Sequence, residues 1–268
     1  QAADDNNNND NGSGNTGGNG GSGGANTPAE TPKPEAQKPE TPKPETTVTV
    51  NTDTVTITTK ADIDGSGNAT ATVSQEQVTE AINKATAGKI EIKVEAPADT
   101  TTVELVIPKE GIDHIAESEL GELIAETPIA SITFDADALA TLSREATDEL
   151  KINISMVETS SLSPEAQQRV GDRPVFDFNI TSGDKTISQF GGDVSISLPY
   201  TPKEGEDLNA IVIYYINESG ELEIVKNCIY DPATGRIRFT TRHFSQFAAG
   251  YNKVIFKDVA ENAWYSKA

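Results

Sequence analysis

The sequence predicts an α+β fold that is mostly an antiparallel β-sandwich with a few short helices, preceded by a long disordered linker. Three observations lead to this prediction. Residues 1–46 contain no large apolar side chain, residues 47–172 alternate strand patterns with helical ones, and residues 173–252 show only short strands separated by turn residues. A length of 268 residues is sufficient for one or two domains.

The predicted linker has two parts. Residues 1–24 are rich in Asn, Gly, Asp and Ser, and such a segment buries too little surface to offset its backbone entropy. Residues 27–46 are rich in Pro, Thr, Lys and Glu, and Thr-Pro-Lys-Pro-Glu occurs at 31–35 and again at 41–45. This composition favours an extended polyproline II spacer, which suits either a stalk in a cell wall or a plain inter-domain linker.

The first predicted subdomain, residues 47–172, begins with alternating β-branched residues that indicate strands. Asp62, Asp64, Ser66 and Gly67 then occupy positions one, three, five and six of an EF-hand-like loop. Position twelve is Val73, where calcium requires a bidentate glutamate, and the flanks resemble strands. We therefore expect a hairpin turn here and no metal site.

The remainder of this subdomain alternates helices and strands. Ser74 and Gln77 form a predicted capping box for a helix that ends near Gly88. The later segments predict two strands, a short helix, a region that is either a helix tail with a strand or, as we favour, a hairpin at Thr127-Pro128, a helix capped by Asp135 or Asp137, another strand and a last short helix. Those segments are KIEIKVEA, TTVELVIP, EGIDHIAES, ELIAETPIASITF, ALATL, ELKINISMVE and LSPEAQQRV.

The second predicted subdomain, residues 173–252, consists of β-strands alone. Turn signals such as Gly191-Gly192 and Ser219-Gly220 separate the strands PVFDFNITSG, KTISQF, DVSISLPY, AIVIYYINES, ELEIVKNCIY, RIRFTTRHF and QFAAGYN. Cys228 is the only cysteine, so an internal disulfide is impossible, and its setting predicts a small buried residue within a strand.

Composition excludes several classes of function. Lys and Arg total 21 against 42 Asp and Glu, and the net charge of −21 argues against a nucleic-acid partner. No apolar run is long enough for a membrane helix, and no signal peptide is visible, so the chain is interpreted as a processed or excised piece. We expect no cofactor and no small-molecule substrate, and His114 is expected to be a solvated surface residue.

An ordinary enzyme is not expected, because the sequence lacks G-x-S-x-G, P-loop, H-E-x-x-H and G-x-G-x-x-G motifs.

One stretch allows a narrower chemistry, since His243, Phe244 and Ser245 are consecutive at a predicted strand end. A serine hydroxyl can attack the preceding carbonyl when the backbone is strained, and water then hydrolyses the resulting ester. The tripeptide resembles the His-Phe-Ser site of self-cleaving domains, such as the autoproteolytic nucleoporin domain. That resemblance implies cleavage between Phe244 and Ser245, with Ser245 as nucleophile and His243 as base, whereas the alternative is an ordinary strand with Phe244 in the core.

The last residues, 253–268, carry a second resemblance. FKDVAENAWYSKA resembles the start of an S-layer homology module, in which an F-x-D-V turn leads into a helix near a W-Y pair. The residues of this structural signature are Phe256, Asp258, Val259, Trp264 and Tyr265. More loosely, residues 47–252 are similar to the β-rich domain that often precedes such modules in surface proteins of Gram-positive bacteria.

These resemblances imply a non-enzymatic spacer at the bacterial cell surface, extracellular or within the S-layer, that links upstream domains to S-layer homology modules. Cell-wall polymer would then be bound by the complete modules of the parent protein and not by this chain. Two alternatives stay open: a self-processing domain that cuts before Ser245, and a module that binds a glycan or a host protein. The sequence shows no exposed aromatic cluster that would favour the last.

Overall fold

The computed structural model describes residues 46–85 and 88–253. The elements of the first half are β1 (Thr46–Val50), β2 (Thr54–Lys60), β3 (Asp62–Ile63), β4 (Asn68–Thr72), α1 (Gln75–Lys84), β5 (Lys89–Glu95), β6 (Thr102–Ile107), α2 (Lys109–Glu117), β7 (Glu122–Glu126), β8 (Ser131–Asp135), α3 (Ala136–Glu145), β9 (Leu150–Val157) and α4 (Pro164–Val170). The second half contains β10 (Val175–Ser182), β11 (Lys185–Thr186), β12 (Gln189–Pro199), β13 (Ile211–Ile216), β14 (Leu222–Ile224), β15 (Ile229–Asp231), β16 (Arg236–His243) and β17 (Gln246–Tyr251). Short 3-10 turns occur at Thr159–Ser161 and Leu208–Ala210.

The strands form two sheets, which confirms the predicted α+β class with its β-rich architecture and short helices. Sheet A has the order β1-β2-β5-β7-β8-β12-β16-β15, and sheet B has the order β14-β13-β17-β10-β9-β6-β4-β3, with β11 added beside β10. Most neighbours are antiparallel, but β2–β5, β5–β7 and β4–β6 are parallel. Both sheets are therefore mixed, because the connection between the two strands of each parallel pair crosses to the other sheet and includes a helix before it returns.

Each sheet combines strands from both halves of the chain. In sheet A, β8 pairs with β12, and in sheet B, β9 pairs with β10 along its full length. The predicted boundary between 47–172 and 173–252 therefore separates the halves in sequence but not in the sheets. All described residues belong to one compact unit.

The main hydrophobic core lies between the two sheets. Ile57 and Ile92 of sheet A and Leu105 and Ile152 of sheet B are fully buried in the same cluster, as alternation along each strand requires. Helices α1, α2 and α3 extend this core with the buried residues Val78, Ala81, Ile112, Ile115, Leu139 and Leu142.

A second apolar cluster lies on the other face of sheet B, beneath α4. Ala166 and Val170 of this helix pack with Val175 and Tyr214. The guanidinium of Arg169 lies 5.1 Å from the centre of the Tyr214 ring, which is a cation–π contact. The described residues thus form one core between the sheets and a smaller one under α4.

Several local predictions are confirmed at the level of single hydrogen bonds. Ser74 Oγ accepts the Gln77 amide at 3.3 Å, and the Gln77 side chain accepts the Ser74 amide at 2.7 Å, so the capping box of α1 is complete. The hairpin between β7 and β8 turns at Thr127-Pro128 as expected, and Thr127 Oγ1 accepts the Ala130 amide at 3.1 Å. Of the two candidate caps for α3, the structure selects Asp135.

Two strand predictions in the second half are wrong. Gly191 and Gly192 do not separate two strands, because β12 runs continuously through them as a bulge. Gln189 pairs with His243 and Val194 pairs with Thr241, so four residues of β12 oppose one residue of β16. The bulge is held by the N-cap residue of α3, since the Asp193 amide donates to the Asp135 carboxylate at 2.7 Å, and by α3 itself, since Thr141 Oγ1 accepts the Gly191 amide at 3.2 Å.

The segment ELEIVKNCIY is not one strand. It divides into β14 of sheet B and β15 of sheet A, joined by a turn that contains Asn227. Cys228 follows this turn and precedes β15, so it is not a strand residue as predicted. The short alternating pattern of this segment fits one continuous strand as well as two short strands joined by a turn. Only the pairing with other strands determines where the chain passes from sheet B to sheet A.

Two predicted segments lie outside the described residues. These are the linker, up to residue 45, and the S-layer homology signature with Phe256, Asp258, Val259, Trp264 and Tyr265. Among the residues that the structure describes, no helix has the length and apolarity needed to cross a membrane.

Candidate functional site

The His-Phe-Ser tripeptide connects the two sheets. His243 is the last residue of β16 in sheet A, and β17 of sheet B begins directly after Ser245. The backbone at this crossover is bound on both sides. The Phe244 amide donates to the Ser188 carbonyl at 2.9 Å, and the Ser245 carbonyl accepts the Phe178 amide at 3.1 Å.

Phe244 lies in the core between the sheets, as the ordinary-strand alternative expects. Its ring centre lies 4.9 Å from that of Phe190, 5.6 Å from that of Phe178 and 6.0 Å from that of Phe134. Phe134 and Phe190 belong to sheet A, whereas Phe178 belongs to sheet B. The aromatic side chain therefore fixes the crossover by packing against both layers.

The side chains of Ser245 and His243 have separate partners. The Ser245 hydroxyl donates to the Ile216 carbonyl of β13 at 3.3 Å. The imidazole of His243 packs against the rings of Tyr215 and Phe247. Within residues 46–85 and 88–253, no hydrogen bond joins this imidazole to Ser245. A proton transfer between them would require both side chains to rearrange, and cleavage before Ser245 stays the alternative that the sequence leaves open.

The three rings line an open cleft of about 370 Å³ between β16 and the β13–β14 hairpin. The Tyr215 ring centre lies 4.8 Å from that of His243 and 5.9 Å from that of Phe247, and the last two are 6.1 Å apart. Tyr215 and His243 are half-buried, whereas Phe247 is buried. The cleft thus has an aromatic wall, which the sequence did not reveal.

Polar side chains form the remainder of the lining. Arg242 Nε donates to Asp193 Oδ1 at 2.7 Å. Glu223 Oε1 accepts the Asn217 side-chain amide at 3.1 Å, and Asn227 Nδ2 donates to the Thr240 carbonyl at 3.0 Å. These residues come from β12, β14, β16 and the turn after β14, so no local sequence motif could have identified them.

The other residues singled out in the sequence have structural roles. His114 is exposed on α2, as expected. Cys228 is half-buried against the core, and its Sγ accepts the Ile213 amide at 3.4 Å. Burial raises the pKa of this thiol above its ordinary value, because the thiolate is poorly solvated there.

The EF-hand-like segment is a hairpin turn between β3 and β4, as expected. The Asp64 carboxylate accepts hydrogen bonds from the Asn68 side chain at 2.8 Å and from the Ser66 and Asn68 amides at 2.8 and 2.9 Å. These bonds, that from the Asn68 side chain first, lower the pKa of Asp64. Asp64 therefore shapes the turn, and the described part of the chain contains no group of three metal-ligating side chains.

No protein-family model matches the chain. A search of curated proteins found no significant match.

Proposed function

We propose that this chain is a structural spacer of a Gram-positive cell-surface protein, which connects upstream domains to S-layer homology modules. It would act outside the cell, in or near the S-layer, and the complete modules would bind the cell-wall polymer. The resemblance of residues 256–265 to the start of such a module motivates the proposal, although these residues lie outside the described part of the chain.

The observation that carries the proposal is the separation between the first and last described strands. Sheet A places β16 six strands away from β1, and β17 of sheet B lies against β16, since the Phe239 and Phe247 ring centres are 5.0 Å apart. Adjacent strands are about 4.8 Å apart, so the chain enters and leaves at points separated by about 30 Å across the sheet. A folded unit with this path holds the segments attached to its two ends apart from each other.

Charge supports the same role. The whole chain carries a net charge of −21, and like-charged neighbours repel one another in a crowded layer. A spacer of this kind stays soluble and separate from adjacent copies, while other domains of the same protein bind the cell-wall polymer.

The test compares three proteins on isolated cell walls: the chain alone, the chain fused to complete S-layer homology modules, and that fusion without residues 46–253. Each carries a fluorescent protein ahead of residue 1. We expect washing to remove the first protein and the walls to retain the other two. The deletion should lower the height of the fluorescent protein above the wall.

Two results would contradict the proposal. Retention of the chain alone after washing would place anchoring within it. An unchanged fluorophore height after the deletion would show that the folded unit contributes no spacing.

A further inference from the structure

We propose that the cleft lined by Tyr215, His243 and Phe247, here called the aromatic cleft, binds one neutral pyranose residue of a glycan. This would be a binding function in addition to the spacer role, and it does not depend on that role. The inference rests on the ring arrangement, on the polar groups around it and on the local charge.

The half-buried rings of Tyr215 and His243 provide an apolar surface that a sugar ring can cover, and the buried ring of Phe247 supports them from the core side. The three ring centres form a triangle with sides of 4.8, 5.9 and 6.1 Å, and Ile224 and Val225 extend the apolar lining. A pyranose has a face of C–H groups that packs on aromatic rings, as other apolar groups do. The volume of about 370 Å³ lies at the lower end of the range for small-ligand sites, which suits a single sugar residue.

The polar groups include both donors and acceptors, which a sugar hydroxyl requires. The Tyr215 hydroxyl has no hydrogen-bond partner among the described residues and is free to donate and to accept. The Glu223 carboxylate has lone pairs beyond the one that accepts from Asn217. The side-chain NH₂ of Asn227 donates to the backbone carbonyl of Thr240, and its side-chain oxygen accepts no hydrogen bond from the described residues.

Local charge favours a neutral ligand over an anionic one. Arg242 is the one Lys or Arg among the described residues that line the cleft, and Asp193 already pairs with it at 2.7 Å. Glu223 adds a second carboxylate, so an acidic sugar or a phosphate would be repelled. An ammonium group would be attracted to the same carboxylate and to the rings, and the experiment must distinguish it from a sugar.

The experiment is an NMR titration of the full 268-residue chain. The probes are methyl glycosides of glucose, galactose and N-acetylglucosamine, the disaccharide of each, choline and glucuronate. We expect at least one neutral glycoside and its disaccharide to shift the amide signals of residues 223–227 and 240–243. Glucuronate should have a weaker effect because Glu223 repels its carboxylate, and choline should have one because its single hydroxyl cannot use the several polar groups of the lining.

The matched variants are Tyr215→Phe and Tyr230→Phe. Tyr215→Phe keeps the ring but removes the free hydroxyl, and we expect about five-fold weaker binding, the effect of losing one hydrogen bond. Tyr230 packs on Tyr200 outside the aromatic cleft, so Tyr230→Phe should bind as the unchanged chain does.

Four results would overturn the inference. The first two are the absence of a shift with any neutral glycoside and shifts that map away from the aromatic cleft. The other two are stronger binding of choline or glucuronate than of any sugar, and a methyl glycoside that binds although its disaccharide does not. Equal loss of affinity in both tyrosine variants would also exclude the proposed contact with the Tyr215 hydroxyl. None of these results bears on the spacer proposal, whose readouts are wall retention and height.

Discussion

At the scale of single residues, Phe244 shows how one side chain can serve packing where its sequence context suggests chemistry. It contacts rings from both sheets, and burying a side chain of this size contributes about 2–3 kcal/mol to the free energy of folding. The neighbouring hydroxyl and imidazole point to different partners, Ile216 and Tyr215. The crossover between the sheets therefore accounts for the burial of Phe244 in this tripeptide.

This arrangement predicts that the folded chain stays intact. The Ser245 hydroxyl donates its proton to the Ile216 carbonyl, which is not a base, so transfer of that proton to His243 during attack on the Phe244 carbonyl requires loss of that hydrogen bond. Intact mass measured under denaturing conditions after prolonged incubation should give only the full-length value. Two fragments that Ser245→Ala abolishes would establish self-processing instead.

A second prediction at this scale concerns Asp177, which faces away from the core in β10 between Ser155 and Gln246. Burial raises the pKa of this carboxyl above 3.8, its ordinary value, because the ionised form is poorly solvated. The folded state therefore binds the proton more tightly than the unfolded state, and stability falls as pH rises from about 3.8 through the raised folded pKa.

Asp177→Asn removes this penalty. We expect the unfolding temperature at pH 7 to rise by a few degrees, and the difference from the unchanged chain to disappear below the pH at which the unfolded carboxyl is protonated. Asp184→Asn is the control, because Asp184 is exposed and the change in charge is the same. An equal gain in both variants would indicate relief of the overall negative charge and not of burial.

At the scale of elements, local signals predicted the helices better than the strands. The capping box of α1 depends on residues three apart, so the sequence contains the whole interaction. The bulge in β12 depends on Asp135, more than fifty residues earlier, and two glycines in sequence indicate a turn equally well. The same reason explains the aromatic cleft, whose rings come from β13, β16 and β17 and meet only after the sheets have formed.

The bulge yields a prediction about Gly192. A Cβ atom at this position would overlap Asp135 Oδ1 and the Ala138 amide nitrogen, which form the cap of α3. Gly192→Ala should therefore lower the free energy of unfolding by about 2–3 kcal/mol through overpacking and loss of the cap. Unfolding in urea measures the loss.

Gly121→Ala is the matched control, since nothing lies within 4 Å of a Cβ there. Its effect should stay within about 0.5 kcal/mol, as for other open surface positions. A similar small effect for Gly192→Ala would show that the cap can move without cost.

At the scale of the whole molecule, the two halves of the chain are interleaved. The β8–β12 pairing in sheet A and the β9–β10 pairing in sheet B both join residues before 173 to residues after it. Alternation and turn residues predicted the strands and the β-rich class, but pattern alone cannot show which strands become neighbours. The predicted division at 173 followed the change from alternating helices and strands to strands alone, and that pattern does not record strand pairing.

Interleaving predicts one cooperative unfolding transition for the folded unit. Hydrogen exchange should give similar opening free energies for amides of β6 and β9 and for amides of β12 and β13, because neither half keeps a complete sheet without the other. Urea unfolding should give the same midpoint whether it is followed by far-ultraviolet circular dichroism or by hydrogen exchange of either half of the chain. Separate loss of protection in residues 46–172 and 173–253 would contradict this.

The positions of β1 and β17 also determine how the unit would respond to mechanical tension. Within the described residues β1 has one partner strand, β2, whereas β17 is flanked by both β10 and β13. A pull along the chain would meet far weaker resistance at Thr46 than at Tyr251. Under tension β1 would therefore detach from β2 first and lengthen the chain by a few residues of extended strand. Strand β17 would stay paired with β10 and β13 until the core unfolds.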